Sequence, residues 1–476
     1  MAMRGSRLIM FLVLLYTYID YNVSQSPHII FIVADDLGWN DVSWHTDEIL
    51  MPNLDTMARA GVILNNSYVQ PMCSPSRSAF MSGYFPFHTG LQHDVIGASQ
   101  ANFLESKYKI LPQYLKEKGY ATHIVGKWHL GFCNWKYTPT YRGFDSYLGY
   151  YVAAEDYYQH NASNGYDFRF NTSVLNTTEY SLDVFTRRAK EILTTHSINT
   201  PLFLYLPFQN VHAPLEVPEI YEKKFANIQN RNRRQYSGMV YALDEAVGQI
   251  MKVLDDQGYM NNSVIMFTTD NGGPVVSGAN NLPLRGAKTT IWEGGTRGAA
   301  FVYSPTYLHK TQYTHNGLMH AADWFSTILG AAGVDIPDGV DGLNLWDMMS
   351  NGSNSTRQEV VHNIDDMYNN SAIRDSRYKL MFGNPGRYNT WYPLPGVDGL
   401  CQPVSEITDL PDVQLFDLLE DPGEHYNIAD QNPHIVQRLT DRLNFYKKTA
   451  IPARYPKGDP ESNPDNFGGV WSPGWC

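Results

Sequence analysis

The chain has 476 residues, with 36 Lys and Arg against 48 Asp and Glu, a formal net charge of −12, and 43% of its residues are apolar or aromatic. That apolar share supports a sizeable core and excludes disorder as the main state; the length allows one large domain or a large domain with a smaller partner. The acidic balance argues against nucleic acid as the main partner, because neutralising phosphates takes a basic surface, but it leaves room for a small anionic substrate in a site whose local charge opposes the net sign.

At the N-terminus, Arg4 and Arg7 precede the apolar run Leu8 to Tyr16, and polar residues follow. This is the pattern of a secretory signal peptide over about residues 1–25, in a run short for a membrane span. No later segment reaches the roughly 18 apolar residues of a transmembrane helix. The mature protein is therefore expected to be soluble in the secretory pathway, in a lysosome or outside the cell. Asn-X-Ser/Thr acceptors at Asn22, Asn65, Asn161, Asn171, Asn176, Asn261, Asn351, Asn354 and Asn369 agree with a glycoprotein. The four cysteines, Cys73, Cys133, Cys401 and Cys476, are too few for a disulfide scaffold. If one has another role, at most one bridge forms among the remaining three.

Short apolar runs predict buried strands at His28 to Ala34, Ala121 to Val125, Leu202 to Leu206 and Val264 to Thr268. Between them lie helical patterns. Ile110 to Lys118 ends at Gly119, and Tyr236 to Asp256 stops at Gly258. The alternation predicts an α/β domain with a mainly parallel sheet. Residues 351–370, rich in Asn and Ser, read as a long surface loop. Ala372 to Met381 alternates like an exposed strand, and Ile435 to Tyr446 reads as a helix. A small C-terminal subdomain is expected from about residue 372.

Each predicted strand runs into polar residues. The first reaches Asp35 and Asp36, the second Lys127 and His129, the third Asn210 and His212, and the fourth Asp270 and Asn271. In open α/β sheets ligands bind outside the carboxyl ends of the strands, so parallel strands would gather these residues on one rim. Asp35, Asp36, Asp270 and the Asn271 amide oxygen make a hard donor set suited to Ca²⁺ or Mg²⁺, although Asp-Asp and Asp-Asn-Gly also serve as helix caps and turns. Cys73 precedes a stretch able to start a helix, whose terminus favours anions. Arg77 adds a guanidinium fork suited to sulfate or phosphate oxygens.

At this point the chain resembles the type I sulfatases. Cys73-Ser-Pro-Ser-Arg77 matches the family's Cys-X-Pro-X-Arg pattern, and Thr122-His-Ile-Val-Gly-Lys-Trp-His-Leu-Gly131 is similar to its second signature. From about Pro27 to Trp475 the chain looks like the arylsulfatase B group. The stretches that carry the likeness are Asp35-Asp-Leu-Gly-Trp-Asn-Asp-Val42, Arg142-Gly-Phe-Asp145, Asn210-Val-His212, Thr269-Asp-Asn-Gly-Gly273, Pro283-Leu-Arg-Gly286, Trp292-Glu-Gly-Gly295 and Phe416 to Asn427.

The resemblance implies the alkaline-phosphatase-like sulfatase fold, a large mixed and mainly parallel sheet flanked by helices, with a catalytic domain over 26–371 and a small C-terminal α+β subdomain over 372–476. It implies Ca²⁺ held by Asp35, Asp36, Asp270 and Asn271, with position 73 beside them. It also implies that Cys73 is converted to formylglycine by a formylglycine-generating enzyme, with Arg77 next to it. Lys127, His129, His212 and Lys288 match its sulfate-binding and proton-transfer positions. On this reading His212 protonates the leaving alcohol, and His129 takes a proton from the hydrated aldehyde as sulfate departs.

There are departures from the family pattern. Gln92 to Tyr108 contains none of the cysteines that bridge the corresponding loop in arylsulfatase B relatives. Cys133 stands at a family cysteine position without its usual partner, Cys401 with Cys476 is the expected pair, and His88 replaces an arginine. The substrate class implied is a sulfated sugar of the N-acetylgalactosamine 4-sulfate type, or a small sulfated metabolite such as a glucosinolate. A phosphatase on the same fold usually carries Ser or Thr and two zinc ions, which Cys73 argues against. The alternative from another class is a catalytically silent sulfate-ester or glycan-binding protein.

Overall fold

The architecture is that of a computed structural model, which describes residues 26–392 and 409–476. The expected signal segment and Cys401 lie outside the described residues. The main sheet contains β1 (His28–Ala34), β2 (Val62–Tyr68), β3 (Ala121–Val125) and β4 (Ser146–Gly149). A two-residue pair, β5 (Asn161–Ala162) and β6 (Gly165–Tyr166), stands apart from it. The sheet continues with β7 (Arg169–Phe170), β8 (Ser173–Val174), β9 (Leu202–Pro207), β10 (Ser263–Thr269), β11 (Ala300–Tyr303) and β12 (Tyr313–His320). Among the described residues its order is β12-β2-β11-β10-β1-β9-β3-β4-β7-β8.

The five strands β10, β1, β9, β3 and β4 run parallel, and β11 and β7 turn antiparallel on either side of them. Every residue of β1, β9 and β10 is buried. Strands covered on both faces need continuous apolar runs, which is why these three are visible in the sequence. Phe31 of β1 meets Phe80, Tyr205 and Trp324, tying the sheet to the helices Cys73–Ser82 and Ala321–Ala331. The long helix Arg231–Asp256 starts five residues before the expected Tyr236, because Asn230 Oδ1 accepts from the Arg233 amide and caps it.

A second, antiparallel sheet follows: β13 (Val360–Asp365), β14 (Asn370–Arg374), β15 (Tyr378–Gly383) and β16 (Val413–Asp417). The α/β class with a small C-terminal sheet is as expected, but two local readings are corrected. The polar stretch 351–370 is not a loop throughout; it contains β13, whose six residues are all buried. The single exposed strand expected over 372–381 is two strands, β14 and β15, and β14 is wholly buried. The polar side chains of β13 and β14, among them Asn363, Asp365, Asn370 and Arg374, are buried inside the fold, so they mark internal partners rather than a solvent face. The helix Pro433–Lys447 buries Ile435, Leu439 and Leu443 against the main core. Trp292 packs with Ala372, Met381 and Phe416 in a smaller core between the two sheets.

One cysteine expectation is also overturned. Cys133 is bonded to Cys476, so Cys133 has a partner and Cys476 is not paired with Cys401. The tail brings Cys476 back: Gly474 and Trp475 amides both donate to the Cys133 carbonyl, at 2.8 and 3.1 Å. No helix among the described residues is long and apolar enough to cross a membrane.

Candidate active site

The carboxyl ends of β1, β10, β9 and β3 meet through their main chains. The Asp35 amide donates to the Asn210 carbonyl at 2.9 Å, the Val211 amide to the Asp35 carbonyl at 2.6 Å, the Asp270 amide to Ala34 at 3.1 Å, and the Lys127 amide to Pro207 at 2.8 Å. This lacing brings the polar residues after each strand to one rim.

Cys73 opens the helix Cys73–Ser82, all ten residues of which are buried. Its sulfur lies 3.6 Å from Asp35 Oδ1. One atom from each of Asp35, Asp36, Cys73 and His212 falls within 4.8 Å of the others. Around them stand three cationic side chains. Lys127 Nζ is 2.5 Å from Asp35 Oδ2, and Lys288 Nζ is 2.6 Å from Asp36 Oδ1. Arg77 holds Asp270 Oδ2 through Nε at 2.9 Å and through its terminal nitrogen at 2.8 Å, and reaches Asp35 Oδ2 at 3.3 Å. Asp270 and Asn271 join the cluster through Asp36. The Asp36 amide donates to Asp270 Oδ1 at 3.3 Å, and Asn271 Nδ2 donates to Asp36 Oδ1 at 2.7 Å.

The residues fit a hard divalent cation. Three buried carboxylates converge, and the buried Asn271 Oδ1 has no hydrogen-bond partner. An orphaned buried oxygen beside carboxylates is costly unless a cation takes it, and an all-oxygen set is the choice of Ca²⁺ or Mg²⁺. The Cys73 sulfur is the one soft atom in the group.

Electrostatics sets the protonation states. Burial pushes the Asp35 carboxyl up, but Lys127, His212 and Arg77 outweigh it and hold it below its ordinary value. For Asp36, burial is outweighed by Lys288 and His212. Burial drives the Cys73 thiol far up, so a cysteine here is a neutral thiol and a poor nucleophile.

The two histidines are distinguished by their ring partners. His129 Nε2 is 3.1 Å from the Ile96 carbonyl and must carry the proton there, leaving Nδ1 bare and without a partner. Burial, with Lys127 and Arg77, holds this ring well below its usual pKa and therefore neutral. His212 Nδ1 is 2.6 Å from the Ala213 carbonyl, so its Nε2, 3.6 Å from Asp36 Oδ2, is the atom free for chemistry. Burial and Lys288 lower its pKa, while Asp36 pulls it up.

Three residues of the rim, Asp36, His129 and Thr289, have φ of 63°, 55° and 80°. Left-handed backbone at residues other than glycine costs energy and persists where a site needs the geometry.

All the candidates from the sequence, Asp35, Asp36, Cys73, Arg77, Lys127, His129, His212, Asp270, Asn271 and Lys288, therefore lie in one neighbourhood. Two supporting residues were not foreseen. Ser74 Oγ donates to the His129 carbonyl at 3.1 Å and accepts from the Ile96 amide at 3.0 Å, bracing the loop that orients His129. Tyr157 donates to the His212 carbonyl at 2.9 Å. Ser74 follows Cys73 directly, a signal that was available, whereas nothing in the sequence flags Tyr157.

A rim that pairs carboxylates with Lys127, Lys288 and Arg77 around the start of a buried helix is built to hold an anionic ester, and defines a hydrolase of such esters. The chain belongs to the sulfatase family: the model of that family, described as Sulfatase, matches residues 27–334. The chain is 41% identical to arylsulfatase J of Mus musculus over 94% of its own length and 80% of that protein. It is 28% identical to N-acetylgalactosamine-6-sulfatase of Homo sapiens over 95% and 91%. The crystal structure of Ps i-CgsB in complex with k-i-k-neocarrahexaose superposes with a TM-score of 0.80 at 26% identity, covering 92% of this chain and 96% of that one. The protein is an arylsulfatase-like sulfuric ester hydrolase.

Proposed function

We propose that the protein is a sulfatase of the arylsulfatase B type that acts on a sulfated sugar such as N-acetylgalactosamine 4-sulfate, or on a small sulfated metabolite such as a glucosinolate. The observation that carries this reading is the approach of Lys127 and Lys288 to Asp35 and Asp36 beside Cys73. The names of the relatives, arylsulfatase J and N-acetylgalactosamine-6-sulfatase, support an aryl or amino-sugar sulfate.

In this reading Asp35, Asp36, Asp270 and Asn271, with position 73, hold Ca²⁺, and Cys73 is the residue converted to formylglycine. When present, the ion offsets the charge of the sulfate and the hydrated aldehyde supplies the attacking hydroxyl. The chain's own side chains do the rest. Lys127 and Lys288 hold sulfate oxygens and screen their charge. Arg77 fixes Asp35 and Asp270. His212 gives a proton from Nε2 to the leaving oxygen from its doubly protonated form, since its Nδ1 proton is committed to the Ala213 carbonyl and Asp36 beside Nε2 favours the charged ring. His129 takes a proton at Nδ1, the ring atom left bare by the contact to Ile96.

A secretory location, lysosomal or extracellular, is part of the proposal. It is supported by the Cys133–Cys476 bridge and by exposed sequon asparagines at Asn161, Asn176, Asn261, Asn351, Asn354 and Asn369.

The test is a panel of sulfated sugars, aryl sulfates and glucosinolates presented to protein co-expressed with a formylglycine-generating enzyme, with metal content measured on the same sample. Turnover of one class and about one calcium per chain, lost in Asp270→Ala, is expected. Binding without turnover on a fully converted sample would favour a silent glycan-binding protein.

A further inference from the structure

Three residues before Ile96, whose carbonyl and amide brace His129 and Ser74, His93 lies between two tyrosines. Its ring centroid is 4.2 Å from that of Tyr368 and 4.9 Å from that of Tyr455. Tyr368 sits at the tip of the β13–β14 hairpin, and Tyr455 comes from the irregular tail. One buried carboxylate sets two of these rings. Asp365 Oδ2 is 2.8 Å from His93 Nδ1, while its Oδ1 accepts from the Met367 and Tyr368 amides at 2.8 and 3.2 Å. Tyr455 is held through its hydroxyl by Asp94 Oδ2 at 3.4 Å. Fixed in this way, Tyr368 remains 52% exposed and Tyr455 38% exposed.

Tyr368 also lines a cleft of about 590 Å³ with Thr289 and Arg387. Thr289 follows Lys288 in the chain, and its amide donates to the Pro71 carbonyl at 2.9 Å, two residues from Cys73. One residue lining the cleft is thus the chain neighbour of Lys288, whose ammonium is 2.6 Å from Asp36 Oδ1. A neighbouring cleft of about 640 Å³ shares Asn370, Gly383 and Asp412 with it. The two together are lined by Asp365, Asp366 and Asp412 against Lys447 and Arg387. This surface has no excess of positive charge with which to attract a polyanion.

We propose that His93, Tyr368 and Tyr455 form a ring-binding wall beside the sulfate pocket, which takes an uncharged sugar ring carrying a single sulfate and discriminates against polysulfated chains. The inference rests on the sulfate-ester reading above and narrows its substrate. Aromatic faces held by a buried carboxylate lose little freedom on stacking a ring, so they add affinity at low entropic cost. The shared chemistry is an uncharged ring with a stackable face, and an aryl ring could occupy the same wall.

Two readouts test it, one of them independent of turnover. The first is calorimetric binding to protein carrying Cys73→Ala, with N-acetylgalactosamine 4-sulfate, 4-nitrophenyl sulfate, a disulfated disaccharide and inorganic sulfate as the probes. Tyr368→Ala and Tyr455→Ala should each weaken the sugar monosulfate about three- to ten-fold, while inorganic sulfate, which reaches only the pocket, binds as before. A matching loss for the nitrophenyl ester means that the wall serves any ring; a loss confined to the sugar confirms the sugar as its occupant. The second readout is turnover by the converted enzyme, where the same variants should raise KM with kcat little changed. Unchanged sugar binding in both variants, a parallel loss of inorganic sulfate, or tighter binding of the disulfated disaccharide than of the monosulfate would overturn the proposal. Failure of turnover with the binding pattern intact would count against the assigned catalytic roles and leave the wall standing.

Discussion

Lys379 Nζ lies 3.0 Å from Glu293 Oε1, a contact with no exposed side-chain surface that joins the small sheet to the short helix Glu293–Thr296 before β11. The same ammonium is 2.8 Å from Glu424 Oε1, and Tyr68 donates to Glu293 Oε2 at 2.6 Å. One lysine thus serves two buried carboxylates. Lys379→Met should destabilise the fold by about 3–5 kcal/mol, since it takes the ammonium from buried Glu424 and leaves Glu293 with only the more distant Arg297 and Arg374. Denaturant melts give the value, and a loss below about 1 kcal/mol would mean that water reaches the cluster.

Asp167, which is not one of the proposed metal ligands, supplies a pH signature. Its Oδ2 accepts from the Tyr151 and Val152 amides at 2.7 and 2.9 Å, and its Oδ1 has no hydrogen-bond partner. Burial raises its pKa from 3.8 to about 6, with Arg169 opposing. The folded chain therefore keeps this proton when the unfolded chain has lost it. The stability it contributes is complete below about pH 4 and is lost as pH rises through about 6. Asp167→Asn, which keeps an acceptor for both amides, should remove this fall and recover up to about 3 kcal/mol at neutral pH. Parallel pH–stability curves for the two proteins would refute it.

For His212 the expectation concerns the leaving group. His212→Ala should slow esters of poorly acidic alcohols far more than nitrophenyl esters, whose departing oxygen needs little protonation; about 10²–10⁴-fold on the former is the usual scale. Equal losses on both classes would reject the role of proton donor.

The Cys73 prediction is chemical. Active protein should carry formylglycine at 73, read as a mass change in the peptide that spans it, while Cys73→Ser should fold but be almost inactive. A serine has one hydroxyl and no second proton to lose, so the sulfate ester would be trapped on it. Active protein with only an alkylatable thiol at 73 would sink the mechanism.

What the sequence revealed, and what it hid, follows from where partners come from. β1, β9 and β10 are legible because burial on both faces demands unbroken apolar runs, and the residues after them are legible because parallel strands put their ends together. β2, VILNNSY, was not seen: Asn65 and Asn66 in it bond to Asn316, far along the chain. β13 was hidden by its own polar side chains, since Asp365 and Asn363 meet His93 and the Gln92 carbonyl. The candidate site residues were legible as polar residues after strands and in family motifs. Lys379 carries no local pattern, and Glu424, inside the Phe416 to Asn427 likeness, gives no sign there of the buried partner it meets. The Cys133–Cys476 bond spans 343 residues and could not be deduced from spacing.

That bond also imposes a timetable. Cys73 is 1% exposed and sits in a helix with every residue buried, so the conversion to formylglycine proposed above, if an enzyme has to grip that segment, must precede closure of the sheet over the helix. Cys476 leaves the ribosome 403 residues after Cys73. The crosslink that locks the tail against Cys133 therefore cannot form until the opportunity to process Cys73 has long been open. Slow synthesis of the stretch between them would lengthen that interval, and a chain that folded early around an unprocessed thiol would be sealed in that state.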